Sequence, residues 1–116
     1  AQGWRLSGSS DVWIGSEREA TNPLFSVWCC VKRETYSGNY IDPEQAVTLE
    51  QALRMHTLDA AATMGEDDIR GSITPGKLAD IIALDQDPFE VPVDDLRKIK
   101  VEYVLTQGRT ALNLTC

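Results

Sequence analysis

The stretch "GSITPGKLADIIALD", residues 71–85, limits the possible folds more than any other part of the chain. Thr74-Pro75-Gly76-Lys77 reads as a type II turn: Pro75 pre-sets φ at about −65°, and Gly76 accepts the positive φ that the third turn position demands. The residues that follow predict a strand from Leu78 to Asp85 that is apolar on both faces. Leu78, Ile82 and Leu84 alternate on one face, and Ala79, Ile81 and Ala83 on the other. Such a strand needs cover on both sides. A fold that contains it must find two layers to supply that cover.

The remaining elements are few. Trp4 to Ser7 reads as a short strand running into a Gly/Ser loop that presents Asp11. Asn22 is a good N-cap with Pro23 at the first helical position, and Leu24, Val27, Trp28 and Val31 follow at helical spacing until Ser37-Gly38-Asn39 closes the segment. A second helix is predicted from Thr48, which forms a capping box with Gln51. Its stripe of Leu49, Ala52, Leu53, His56, Ala60 and Met64 runs unbroken to Gly65, the expected left-handed stop. Beyond the turn and strand, "DQDPFEVPVDDLRK" reads as a polar excursion. The close is a hairpin in which Val101, Tyr103 and Leu105 alternate with polar residues and Gln107-Gly108 makes the turn. Two helices and three or four strands fit an α+β layer pair, and they leave one face of the apolar strand without a partner.

Size and charge narrow the function classes. A chain of 116 residues with 42% hydrophobic residues can build one core, and no apolar run approaches the 18 residues that would suggest a membrane span. The net charge of −7 excludes a phosphate-neutralising patch, so no nucleic-acid partner is expected. The first residues lack a signal-peptide pattern, and a cytoplasmic location is expected. Cys29, Cys30 and Cys116 have neither CxxC spacing nor an even count, so they read as plain buried or half-buried thiols.

Catalytic groups are scarce. His56 is the single histidine, and its place on an apolar stripe reads as a packed, hydrogen-bonded core residue, since a His-based metal site needs further ligands. Asp67-Asp68, Asp85/Asp87 and Asp94-Asp95 read as solvated loop and helix-start carboxylates. There is no GxSxG elbow, no Gly-rich phosphate loop, and no Ser or Cys with an evident His beside it. Asp11 differs by context, because it follows a predicted strand on a Gly/Ser loop, where catalytic groups collect in parallel α/β folds; an Asp in such a loop reads equally as a plain turn former.

Four segments in this order, "TNPLFSVWCCVKRET", "DPEQAVTLEQALRMHTLDAAATMG", "GSITPGKLADIIALDQDPF" and "VEYVLTQGRTAL", resemble the C-terminal end of the metal-dependent amidohydrolase superfamily, and most of all the branch called amidohydrolase family 3. The resemblance covers almost all of residues 9 to 112. It implies an α+β fragment: the end of a TIM-like (β/α)8 barrel, with its last strand and helices in residues 1–70. Strands of the flanking small β-sandwich domain would occupy residues 71–116. It also implies that Ser10-Asp11 matches the family's Ser-Asp after the last barrel strand, which makes Asp11 both the catalytic base candidate and the metal-site candidate. Around it the chain has Ser9 and Val12-Trp13-Ile14 where the family often has a preceding Gly and a following Pro. The family's His-x-His pair and mid-barrel Lys or Glu are not in this chain, and a full barrel takes about 250 residues. The expectation is therefore the last part of a hydrolase acting on a small molecule at a carbon–nitrogen bond other than a peptide bond. A divalent metal, zinc above all, would serve the whole enzyme and none this segment alone. A non-enzymatic binding or assembly module is the alternative. The uncovered strand face predicts a homodimer or larger assembly when the segment is isolated.

Overall fold

The computed structural model describes residues 5–9, 19, 21–35 and 37–113. Helix α1, Pro23–Lys32, starts as its sequence dictates, with the Leu24 amide donating to Asn22 Oδ1 at 3.0 Å and Pro23 occupying the first turn. It ends at Arg33, which adopts a left-handed φ of 56° and donates its amide to the Cys29 carbonyl at 2.9 Å. Asp42, Pro43, Glu44 and Gln45 lead through one 3₁₀ turn, Pro43–Gln45, to the second helical region.

That region is two helices rather than the single one expected. Helix α2, Leu49–Met55, carries the full capping box: Gln51 N donates to Thr48 Oγ1, and Thr48 N donates to Gln51 Oε1. Helix α3, Leu58–Thr63, begins after a break at Thr57, whose φ and ψ are −127° and −94°. The break has a side-chain cause. The Thr57 hydroxyl donates to the Leu53 carbonyl at 2.9 Å and the His56 ring holds the Ala52 carbonyl at 2.9 Å. The backbone amides of His56 and Thr57 then fall back on residues three positions earlier, Leu53 and Arg54. Side chains have replaced the α-helical ladder for one step, and the chain turns there.

The sheet has three antiparallel strands in the order β1 (Ile81–Leu84), β2 (Val101–Thr106) and β3 (Arg109–Asn113). The hairpin forms as the sequence predicts, with Gln107 and Gly108 at φ 51° and 75°, both positive as a type I′ turn requires. The type II turn at Pro75-Gly76 also forms: Gly76 has φ 94°, and Lys77 N donates to the Thr74 carbonyl at 3.1 Å.

Two strand expectations are corrected. Residues 5–9 form no strand, because the Gly8 amide donates to the Met55 carbonyl at a helix end, 2.9 Å away. The apolar strand is four residues long and lies at a sheet edge. Upstream of it, Leu78 N donates to the Ile69 carbonyl, while the Ala79 carbonyl and the Asp80 carboxylate accept from the hairpin amides of Gly108 and Gln107. A register shift between Ala83 and Leu84 also breaks the alternation, so that Ile81 and Leu84 are half-buried while Ile82 and Ala83 are exposed.

The core lies between α1 and a segment that reads as a polar loop. Val93–Lys98 is a 3₁₀ helix with Asp94 and Asp95 in its first turn and Arg97 and Lys98 in its last, charges that suit the helix dipole. It places Leu96, fully buried, against Leu24, Trp28 and Ile99. From the sheet, Leu84 packs on this cluster; Phe25, Leu49 and Leu53 add partial cover.

Candidate functional site

Asp11, the candidate for both catalysis and metal binding, lies outside the described residues. The described segment nearest to it in the sequence is residues 5–9. Arg5 Nη1 donates to Asp67 Oδ2 at 2.8 Å, and this bond holds the Asp67 carboxyl below its ordinary range. Arg5 Nε also stands 3.9 Å from Asp59, a nearly buried carboxylate that Arg54 Nε meets at 3.1 Å. At the other end, Gly8 is fastened to Met55 and lies against the ring of His56.

His56 is hydrogen-bonded, as its sequence position predicts, but it is half-buried rather than part of the core, and it sits at the end of α2 rather than in mid-helix. Its ring holds two partners, the Ala52 carbonyl at Nδ1 and the Ser26 hydroxyl at Nε2, each at 2.9 Å. A carbonyl only accepts, so we assign the proton of the neutral ring to Nδ1; Nε2 is then the acceptor for the Ser26 hydroxyl. Ser26 is thus a serine with a histidine beside it, a pair invisible in a sequence where 30 positions separate the two. Gly8, Ser9, Thr21, Pro23, Ser26 and His56 line a cavity of about 300 Å³.

The carboxylates of Asp85, Asp87, Asp94 and Asp95 have structural partners. Asp85 Oδ1 accepts from Lys100 N and Asp87 Oδ1 from Phe89 N, both at 2.8 Å. Asp94 takes Lys32 Nζ at 2.7 Å, and Asp95 takes Lys98 Nζ at 2.6 Å. Cys29 and Cys30 are free, half-buried thiols whose pKa values burial pushes up, which is the inert direction for a cysteine. A larger open cleft of about 820 Å³ lies beside Phe25, Trp28, Lys32, Tyr40 and Arg97. Its cations are engaged: Lys32 with Asp94, and Arg97 over the Trp28 ring at 5.0 Å. Among the described residues no three His, Cys, Asp or Glu side chains come together as a metal would need, so this part does not fit a catalytic metal. No described helix is long and apolar enough to cross a membrane.

Comparison with known proteins places these elements. The model of the amidohydrolase family matches residues 1–112. An N-substituted formamide deformylase from Arthrobacter pascens is 37% identical over 106 residues, which are 91% of this chain and 19% of that protein. An imidazolonepropionase from Picrophilus torridus is 36% identical over 98 residues, 81% of this chain and 20% of its own. The crystal structure of an amidohydrolase from Thermotoga maritima MSB8 shares the fold, with a TM-score of 0.56 at 23% identity over 78% of this chain and 19% of that one. The chain belongs to the amidohydrolase family. It spans about a fifth of the length of these relatives.

Proposed function

We propose that this chain is the C-terminal part of a metal-dependent hydrolase that cleaves carbon–nitrogen bonds other than peptide bonds in small molecules, and that Asp11 is its contribution to the chemistry. The observation that carries the reading is the family match across residues 1–112, joined to a relative named for removing formyl groups from N-substituted formamides. A second relative, 27% identical over 82 residues, is named 5-methylthioadenosine/S-adenosylhomocysteine deaminase. Both names describe breaking a carbon–nitrogen bond.

In this reading the described residues are scaffold. They hold the segment that leads to Asp11, through Arg5 at one end and Gly8 at the other, and Asp11 takes and returns a proton during hydrolysis. The divalent metal, with zinc the expected ion, would be held by side chains outside the described residues. The test is Asp11→Asn in the full-length protein, assayed on N-substituted formamides. Loss of a general base is worth about 10² to 10⁴ in rate, so turnover should fall to that extent while the melting temperature stays within a few degrees. Undiminished turnover in the variant removes Asp11 from the mechanism, and a wild-type protein inert toward such substrates removes the reading.

A further inference from the structure

We propose that Gly8 and His56 form a size-matched joint that fixes the backbone at residue 8, three positions before Asp11 in the sequence, making His56 a positioning residue for the hydrolysis. The inference rests on the reading of Asp11 given above.

Three segments meet at this ring. His56 belongs to the α2–α3 junction, its Nε2 is held by Ser26 of α1, and Gly8 lies against its face while donating to its neighbour Met55. Because both ring nitrogens are bonded, the ring cannot swing aside without giving up the Ala52 carbonyl or the Ser26 hydroxyl. Gly8 is needed here for size alone. Among the described residues the glycines with positive φ are Gly38, Gly65, Gly71, Gly76 and Gly108, and Gly8 is not one of them. A Cβ on Gly8 would instead overlap Cε1, Nε2 and Nδ1 of His56. The absent methyl lets the chain lie flat on the ring three residues before Asp11. The cavity beside the joint is lined by Gly8, Ser9, Thr21 and Pro23 as well as by Ser26 and the ring itself. A rigid ring set against a residue of no side-chain volume is a means of fixing a chain's direction, and a reacting group displaced by about 1 Å can lose about 100-fold in rate.

The test uses the full-length protein with Gly8→Ala, His56→Ala and the double variant, assayed on N-methylformamide, with amide hydrogen exchange at residue 8 followed in parallel. Gly8→Ala should lower kcat by at least tenfold with KM little changed, and should speed exchange at residue 8. The double variant should recover part of both losses, because removing the ring makes room for the methyl. A double variant no better than Gly8→Ala overturns the joint, as does a Gly8→Ala protein with wild-type kcat and exchange. Should Gly8→Ala not fold, the double variant must fold for the joint to stand. Should the wild-type protein not turn over N-methylformamide, the choice of substrate class fails separately, and the exchange pattern alone decides the joint.

Discussion

The helical region and the sheet stand at opposite ends of a scale of self-sufficiency. Among the described residues, helices α1 to α3 with the 3₁₀ helix Val93–Lys98 own nearly every buried apolar side chain: Leu24, Val27, Trp28, Ala52, Ala61 and Leu96. Strand β3 is exposed along its whole length, and the buried side of the sheet rests on the core through Leu84. Ile82 of β1 pairs with Val104, which pairs with Leu112, making an apolar row in which Ile82 is 53% and Leu112 37% exposed. The helices close their own core, whereas the sheet is held by its ladder and its turns and presents an apolar surface outward. What binds the molecule together is thus a handful of side chains between α1 and one short 3₁₀ helix.

The largest effect should come from cutting that junction. Leu96 is fully buried against Leu24, Trp28 and Ile99. Leu96→Ala removes its contacts and leaves a cavity, a loss of about 2–5 kcal/mol, which is a large fraction of a total stability of about 5–15 kcal/mol. Urea denaturation followed by far-UV circular dichroism should show a much lower midpoint. A shift as small as that of a surface substitution would mean that the core does not depend on the 3₁₀ helix.

A smaller effect is expected at the rim of the same junction, where Lys32 of α1 meets Asp94 of the 3₁₀ helix at 2.7 Å. The bond to Lys32 is the main cause that lowers the Asp94 pKa, with Trp28 Nε1 adding a weaker one; the bond to Asp94 in turn raises that of Lys32. A carboxylate with a lowered folded pKa stabilises above its unfolded pKa and loses that contribution as pH falls through the folded value. The lysine's contribution is present below its unfolded pKa and is lost as pH rises through its raised one. Asp94→Asn should therefore be slightly less stable than wild type at neutral pH. The two should converge in strong acid and again at high pH, as thermal melts across pH will show. A constant difference at every pH would assign the loss to packing rather than charge.

Much of this arrangement is legible in the sequence where the signal is local. Asn22-Pro23, the Thr48/Gln51 box, Pro75-Gly76 and Gln107-Gly108 each specify a cap or turn within four residues, and each forms as read. Signals that depend on distant partners are not legible. "VPVDDLRK" reads as polar loop because one buried leucine in eight residues carries no periodicity, yet Leu96 anchors the core. The α2–α3 break is hidden because His56 fits a helical stripe that runs on to Ala60 and Met64, and only the bonds of His56 and Thr57 to Ala52 and Leu53 turn the chain. The Ala83/Leu84 register shift similarly defeats a reading by strict alternation. At the candidate site, Asp11 comes from a weak local context that resemblance strengthens, while the Ser26–His56 pair and the Gly8 contact need three dimensions to be seen.

The smallest effect on stability, and the sharpest probe of the sheet's dependence on outside cover, belongs to Ile82. An exposed side chain that contacts no buried cluster can be replaced within about 0.5 kcal/mol, so Ile82→Ser should leave the unfolding midpoint nearly unchanged. Its effect should appear in association instead. The row Ile82, Val104 and Leu112 is an apolar surface on a three-stranded sheet, one that invites a second copy to cover it. Light scattering on the 116-residue chain at micromolar concentration should report a dimer or larger species. Ile82→Ser combined with Leu112→Ser should shift it to monomer while thermal stability per chain holds. If wild type and double variant are both monomers, the apolar row does not pair copies of this chain. If both remain dimers, the pairing runs through another surface, and the contrast between a closed helical core and an open sheet has no consequence for assembly.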